Sequence, residues 1–237
     1  MTSPWFAPSD FLGTIPSSDR SELIELSQRR SYRRHEFIFQ LGSPCEHVYL
    51  LSQGRVKIFG LSALGKEVIH WFCLPGDLFG LAEMARGGPR RVYAQACVDC
   101  ELFAVPIDQF KTFLALHPST SMAVIDVLSY RLRALGDMLQ NLTSDDVTTR
   151  VVKLLLRLCS RYGKRVDGQI CLDLPLTHQE MADMIGATRQ TVTTVLGELK
   201  RRGAVRVENH QIRIEREDVL ERIINAAHTA DMVPPPR

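Results

Sequence analysis

Several features that mark large classes of protein are missing from this 237-residue chain. No apolar run approaches the roughly 18 residues needed to span a bilayer as a helix, so no transmembrane segment is expected. The opening residues, Met1-Thr2-Ser3-Pro4-Trp5-Phe6, hold no basic region followed by an apolar stretch. They do not read as a secretory signal, and the protein is expected to be cytoplasmic. There is no glycine-rich nucleotide loop, nucleophile elbow or zinc-protease helix, which argues against an enzyme. The adjacent carboxylates Asp145-Asp146 and Glu217-Asp218 fit helix starts, where the dipole favours negative charge, so no catalytic residue is assigned. No cysteine precedes Cys45, and the six present are expected to stay reduced in the cytoplasm. A large excess of charge is missing too, since the net charge is only +2. With 45% hydrophobic and 24% charged residues, the composition suits a soluble globular protein of one or two domains.

That small net charge is unevenly placed. Residues 150–216 carry 13 Lys/Arg against 7 Asp/Glu, a net +6, whereas residues 1–149 and 217–237 each sum to −2. A basic module behind a near-neutral one is the electrostatic pattern of nucleic-acid binding.

The basic module contains the most informative stretch, residues 177–200. Thr177 and Glu180 have capping-box spacing, so a helix starts there. Met181, Met184 and Ile185 share one of its faces, and Gly186 is placed to end it in the left-handed conformation. Thr188 caps a second helix, where Val192, Val195, Leu196 and Leu199 form an apolar stripe at i, i+3, i+4 and i+7. Arg189, Gln190 and Thr193 stay on its polar side. Two short helices around a glycine turn make a helix-turn-helix, whose second helix enters a DNA major groove. The cluster Lys200-Arg201-Arg202 follows. Val205-Arg206-Val207 and Ile212-Arg213-Ile214 then alternate apolar and basic residues around Glu208-Asn209-His210-Gln211, the pattern of a β-hairpin wing. The expected base-reading residues are Arg189, for guanine, Gln190, for adenine or through water, and Thr193, for a thymine methyl. Arg201 and Arg206 are expected on phosphates. Thr177, His178, Thr188, Thr194 and Lys200 complete the expected DNA-facing set.

Upstream, residues 1–18, with prolines at 4, 8 and 16, read as a flexible arm. Residues 19–30 fit a short helix. From Tyr32 to about Phe113, short apolar stretches alternate with turns such as Ser52-Gln53-Gly54 and Pro75-Gly76-Asp77, the spacing of an all-β sandwich or barrel. Pro118 starts a long helix on which Ile125, Leu128, Leu132, Leu135, Leu139 and Leu142 step by threes and fours. This heptad seam is expected to pair two copies of the chain. Residues 141–146 form a polar hinge, and Val147, Val151, Leu154, Leu155 and Leu158 begin the next helix.

In this order of parts the chain resembles the cyclic-AMP receptor protein/fumarate-nitrate reductase regulator (CRP/FNR) family of bacterial transcription factors. The resemblance runs from about Asp19 to Leu220. It rests on Gly54-Arg55-Val56-Lys57, on Pro75-Gly76-Asp77-Leu78-Phe79-Gly80, and on the motifs spanning 176–182 and 186–192. It implies an α+β fold: a jelly-roll-type β-roll like a cyclic-nucleotide-binding domain over 19–116, a dimerisation helix over 117–143, a winged helix-turn-helix over 144–222 and a tail over 223–237. It also implies a homodimer on a palindromic operator that recruits or blocks RNA polymerase. The alternative class is a ligand-binding module that controls a partner protein, its helical hairpin serving protein contact only.

The implied effector site, Gly80, Leu81, Glu83, Arg90, Arg91 and Leu135, departs from the family's cyclic-AMP pattern. Leu81 stands where cyclic-AMP binders carry the glutamate for the ribose, and Glu83 lies two residues later. Arg90 matches the phosphate-binding arginine, a guanidinium suited to phosphate, but Arg91 follows where a small hydroxyl residue is usual. Leu135 and Gly136 stand where hydroxyl residues meet adenine. Cyclic AMP is therefore not the expected switch, and no cofactor is assigned. An iron–sulfur cluster or zinc would need Cys45, Cys73, Cys97 and Cys100. Cysteines often fill cores, and His35, His47 and His70 are read as structural.

Overall fold

A computed structural model describes residues 10–166, 169–172, 174–208 and 211–231. Residues 1–9 of the expected arm, Asn209 and His210 at the wing turn, and 232–237 of the tail lie outside the described residues. Two compact units meet between Ala134 and Leu135, within one long helix.

The first unit is a jelly roll of two antiparallel four-stranded sheets. One runs in the order β1 (Gln28–Tyr32), β8 (Cys100–Pro106), β3 (His47–Gln53), β6 (Leu78–Phe79), and the other β2 (Phe37–Phe39), β7 (Tyr93–Ala96), β4 (Val56–Leu61), β5 (Glu67–Cys73). Successive side chains of a strand point to opposite faces, and the first sheet uses both. Tyr49, Leu51, Cys100, Leu102 and Ala104 pack between the sheets with Ile38, Val56, Ile58 and Ala94. Val48, Leu50 and Val105 turn the other way, against helices. Those helices are α1 (Phe11–Thr14), α3 (Ile107–Leu116) and α4 (Pro118–Ser144), which contribute Phe11, Phe110, Phe113, Val124 and Val127.

In this unit three boundaries differ from expectation. Residues 10–15 belong to the core, because Phe11 and Ile15 are buried and Asp10 caps α1 by accepting from the Gly13 amide at 2.8 Å. The helix after them, α2 (Ser17–Glu25), ends early, and Gln28 to Arg30 pair with β8 instead. Residues 107–116, expected as β structure as far as Phe113, are helix α3, whose Ile107, Phe110 and Phe113 recur at helical spacing and are buried.

The second unit packs α5 (Val147–Tyr162), α6 (His178–Ile185), α7 (Arg189–Arg201) and α8 (Glu217–Asp231) with a sheet in the order β11 (Val205–Glu208), β12 (Gln211–Ile214), β10 (Gln169–Leu172), β9 (Gly163–Val166). The expected wing hairpin is thus half of a four-stranded sheet. Asp146 caps α5 by accepting from the Thr149 amide at 2.7 Å. Helix α8 continues to Asp231, through residues expected as tail.

A buried polar cluster ties α2 to the start of α4. Asp19 accepts from the Thr120 hydroxyl at 2.6 Å and the Ser18 hydroxyl at 3.0 Å, and lies 3.2 Å from Nδ1 of His117. The other ring nitrogen of His117 lies 3.2 Å from Glu22. The Thr120 bond is the main cause holding the Asp19 carboxyl below its ordinary pKa, against the opposing effect of burial, with smaller help from Ser18 and His117. A carboxyl depressed in the folded state contributes stability at neutral pH, which is lost as pH falls through its folded pKa. Thr120→Val should therefore start acid unfolding of the β-roll at a higher pH. An unchanged acid midpoint by tryptophan fluorescence would show that Thr120 does not hold this charge.

Candidate nucleic-acid interface and sensory site

The helix-turn-helix is built by reciprocal caps. The Thr177 hydroxyl accepts from the Glu180 amide at 3.1 Å, while the Glu180 carboxylate accepts from the Thr177 amide at 2.8 Å. Gly186 ends α6 at φ 64°, ψ 41°, a left-handed cap that glycine adopts without strain. A Cβ there would also come within 3.1 Å of Leu142. Thr188 caps α7 through the Thr191 amide at 3.1 Å. Met181, Met184, Ile185, Val192, Val195, Leu196 and Leu199 are all buried, so the two apolar faces close on each other and on α5.

What remains outward is polar. Arg189, Gln190, Thr193, Thr194, Lys200 and Arg201 are exposed along α7. The Arg189 side chain has no hydrogen-bond or ionic partner among the described residues. Several other members of the expected set are internally engaged. The hydroxyls of Thr177 and Thr188 serve the caps. The Thr193 hydroxyl lies 2.8 Å from His178 Nδ1 and 2.9 Å from the Arg189 carbonyl, joining α6 to α7. The Thr194 hydroxyl donates to the Gln190 carbonyl at 3.1 Å. Arg201 lies 4.0 Å from Glu198, a weak exposed pair. Arg206 pairs with Glu215 at 2.7 Å.

Sheet register adds residues that were not assigned from sequence. Arg206 stands opposite Arg213, Arg213 opposite Cys171, and Cys171 opposite Lys164. Directly paired residues share a face, so three cations cross the outer face of the sheet in one row. The Ile212-Arg213-Ile214 alternation held the signal for Arg213. Lys164 was out of reach without β9 and β10.

In the β-roll, Arg90 is fully buried. It donates to the Gly80 carbonyl at 2.8 Å and to the His47 carbonyl, and lies 4.3 Å from the Phe39 ring centre. Its Nη1 also meets the Glu83 carboxylate at 3.3 Å, and the other Glu83 oxygen accepts from the Arg91 amide at 3.3 Å. Gly80 is required twice, by φ 81° and by Tyr49 and Arg90 atoms within 3.4 Å of any Cβ. Leu81 is a core side chain, packed with Leu78, Phe110 and Val127. The Arg91 side chain is exposed, as is Leu135 on α4. Glu83 thus serves as the counter-charge of Arg90.

The four candidate metal cysteines do not converge. Cys73 and Cys100 lie in the core between the sheets, Cys45 packs against the helical core, and Cys97 sits in the turn between β7 and β8. The Cys100 thiol is 3.1 Å from the Val98 carbonyl. Burial pushes the Cys45 and Cys100 thiols up, away from the thiolate form that binds metal. Among the described residues no group of three or more His, Cys, Asp or Glu side chains is arranged to hold a metal ion. Burial also lowers the pKa of His47 and His70.

Comparison with known proteins agrees with this architecture. Residues 29–117 match the family model of a cyclic nucleotide-binding domain, and residues 149–223 that of a Crp-like helix-turn-helix domain. The Global nitrogen regulator of Nostoc sp. is 32% identical over 194 residues, 81% of this chain and 87% of that protein. The CRP-like cAMP-activated global transcriptional regulator of Mycobacterium tuberculosis is 30% identical over 212 residues, 90% of this chain and 94% of that one. The solved structure of FixK2 from Bradyrhizobium japonicum aligns with a TM-score of 0.73 at 26% identity, over 83% of this chain and 96% of that chain. Fold and site together define a DNA-binding transcriptional regulator with an N-terminal effector-binding domain. The chain belongs to the CRP/FNR family and is a transcription factor, not an enzyme.

The Arg90–Glu83 pair is open to a direct test. Removing one member of a buried pair leaves an uncompensated charge, so Glu83→Ala should cost the β-roll on the order of 3 kcal/mol. Inorganic phosphate should then raise the melting temperature of the variant and leave that of the wild type unchanged. Equal phosphate effects on both proteins would show that Glu83 does not neutralise Arg90.

Proposed function

We propose that this protein is a homodimer that reads an inverted-repeat DNA operator with the N-terminal turn of α7, and that cyclic AMP is not its switch. The observation that carries the first part is the exposed Arg189 side chain, without a partner among the described residues, at the start of a capped recognition helix whose last turn carries Lys200 and Arg201. A guanidinium there donates two parallel bonds to guanine O6 and N7, a pattern that only G presents in the major groove. Gln190 beside it suits adenine. Pairing through the leucine stripe of α4 is supported by its exposure, 74% for Leu132 and 65% for Leu139. Two-fold symmetry then calls for half-sites ~34–36 Å apart. On DNA in the cytoplasm, a dimer of this family acts by recruiting or blocking RNA polymerase.

The reading of the effector is supported by Leu81 in the core and Glu83 on Arg90. A cyclic phosphate would have to displace an internal carboxylate, and the ribose would meet no carboxylate at Leu81.

Arg189→Ala should cost ~1–3 kcal/mol of operator affinity and erase the preference for one guanine in each half-site. Site selection with the variant is the check, and an unchanged motif would remove α7 from the groove. Replacing Leu132 and Leu139 by Asp should yield monomers, because a charge buried without a partner is costly. A dimer mass retained in light scattering would rule out this face as the seam.

A further inference from the structure

The second unit holds a cleft of about 680 Å³ that the DNA-reading residues do not use. It lies where the last turns of α4 meet α5, α6 and α8. Leu142, Leu154, Met184, Ile185 and Ile224 give it apolar walls. Arg150, Lys153 and Arg157, at i, i+3 and i+7 on α5, form a cationic stripe along it. Asp137 is the one carboxylate in its lining among the described residues. Lys153 is already neutralised, its Nζ 2.8 Å from Asp145 and 3.1 Å from the Asn141 amide oxygen. Arg150 is in a different state. Its Nε is buried and has no hydrogen-bond partner among the described residues. The Arg150 guanidinium also has no ion-pair partner among the described residues, so it is the cation of the stripe left to meet an anion in the cleft. Apolar walls, a few convergent polar groups and a volume of several hundred Å³ are the form of a small-molecule site.

We propose that this cleft binds an amphipathic organic anion, a carboxylate carrying an apolar chain or ring. The carboxylate meets Arg150, and the apolar body lies over Leu154, Met184 and Ile224. Such a ligand touches α6 directly and abuts Leu142, the side chain that packs over Gly186 in the turn of the helix-turn-helix. Its binding therefore alters how the reading helices are seated on the end of α4, and with that the affinity for DNA. This last step rests on the DNA-reading function proposed above, whereas occupancy of the cleft does not.

The probe is octanoate, with 1-octanol as its neutral counterpart, titrated into the full chain by calorimetry. Octanoate should bind saturably, once per chain and about tenfold tighter than octanol, the gain expected of a charge-assisted pair. Arg150→Gln should erase that difference, and Ile224→Trp, which fills the cleft from the half-buried side of α8, should block both ligands. No saturable binding, equal affinity for octanol, or octanoate binding that survives both substitutions would overturn the site. So would binding that is lost in Leu132→Ser/Leu139→Ser but kept in Ile224→Trp, since it would put the ligand on the exposed leucine face. In gel-shift titrations saturating octanoate should change the affinity of the wild type for DNA several-fold and leave Arg150→Gln unmoved. Octanoate bound with DNA affinity unchanged would overturn the coupling, and DNA binding lost in every sample would instead strike the DNA-reading function.

Discussion

One helix cannot hide two apolar stripes within a single chain. On α4, Thr120, Val124, Val127 and Arg131 are buried on the β-roll side. Ile125, Leu128, Leu132, Leu135, Leu139 and Leu142 lie on another side and stay exposed. The remaining burial of each is worth about 1 kcal/mol, roughly half the value of a whole aliphatic side chain. One stripe alone therefore barely matches the ~4–15 kcal/mol lost in association. Two identical stripes facing each other double the gain, and a two-fold axis lets each residue meet its own counterpart. In the homodimer proposed above, the same axis would match two reading helices to the symmetry of duplex DNA. The proposed pairing of chains and the proposed form of the operator thus rest on one surplus apolar face.

The inner stripe ends in a charge, and that charge connects α4 to the sensory loop. Arg131 donates to the Leu78 carbonyl and lies 5.1 Å from the Trp71 ring centre. Two residues further on, Arg90 holds the Gly80 carbonyl from the other side. The short segment from Leu78 to Glu83 is therefore clamped by two buried guanidiniums from different elements, each lying over an aromatic face that offsets part of its desolvation. Moving the segment breaks bonds at both arginines together. A packed loop of this kind has discrete arrangements rather than a continuous range. Glu83 and α4 are thus joined by one chain of contacts, through Arg90, the Gly80 and Leu78 carbonyls and Arg131.

Much of this was legible in the sequence, for a reason that also sets the boundary. Thr177, Glu180, Gly186 and Thr188 act on backbone groups within three or four residues, so their spacing alone announces two helices and the turn between them. The leucine seam is equally local. The contacts at Glu83 are not. Its partners lie seven and eight residues away across a glycine turn, and only the path through Gly87 and Gly88, both at positive φ, shows that it faces Arg90. Phe11 and Ile15 were hidden for a related reason. The prolines and small polar residues around them suggest a loose arm, whereas two apolar side chains suffice to pin the segment to the core. Strands β9 and β10 are only four residues each, too short to announce themselves, and they join a sheet because β12 lies alongside β10.

Charge shows the same division between what is counted and what is available. The basic module sums to +6, but many of its cations are already committed. Arg206 pairs with Glu215, Lys153 with Asp145, and just beyond the module Asp218 draws in both Arg216 and Arg222. A phosphate must compete with those carboxylates, so such residues add to long-range attraction more than to contact energy. Arg189 and Lys200, exposed and without ionic partners among the described residues, surrender only water and counterions when DNA arrives. The two sit at opposite ends of α7, one at the base-reading turn and the other where the helix dipole already favours a cation. The proposed recognition is therefore concentrated on a few uncommitted side chains that the caps of α6 and α7 hold in place, while the remaining basic residues would shape the field through which DNA approaches.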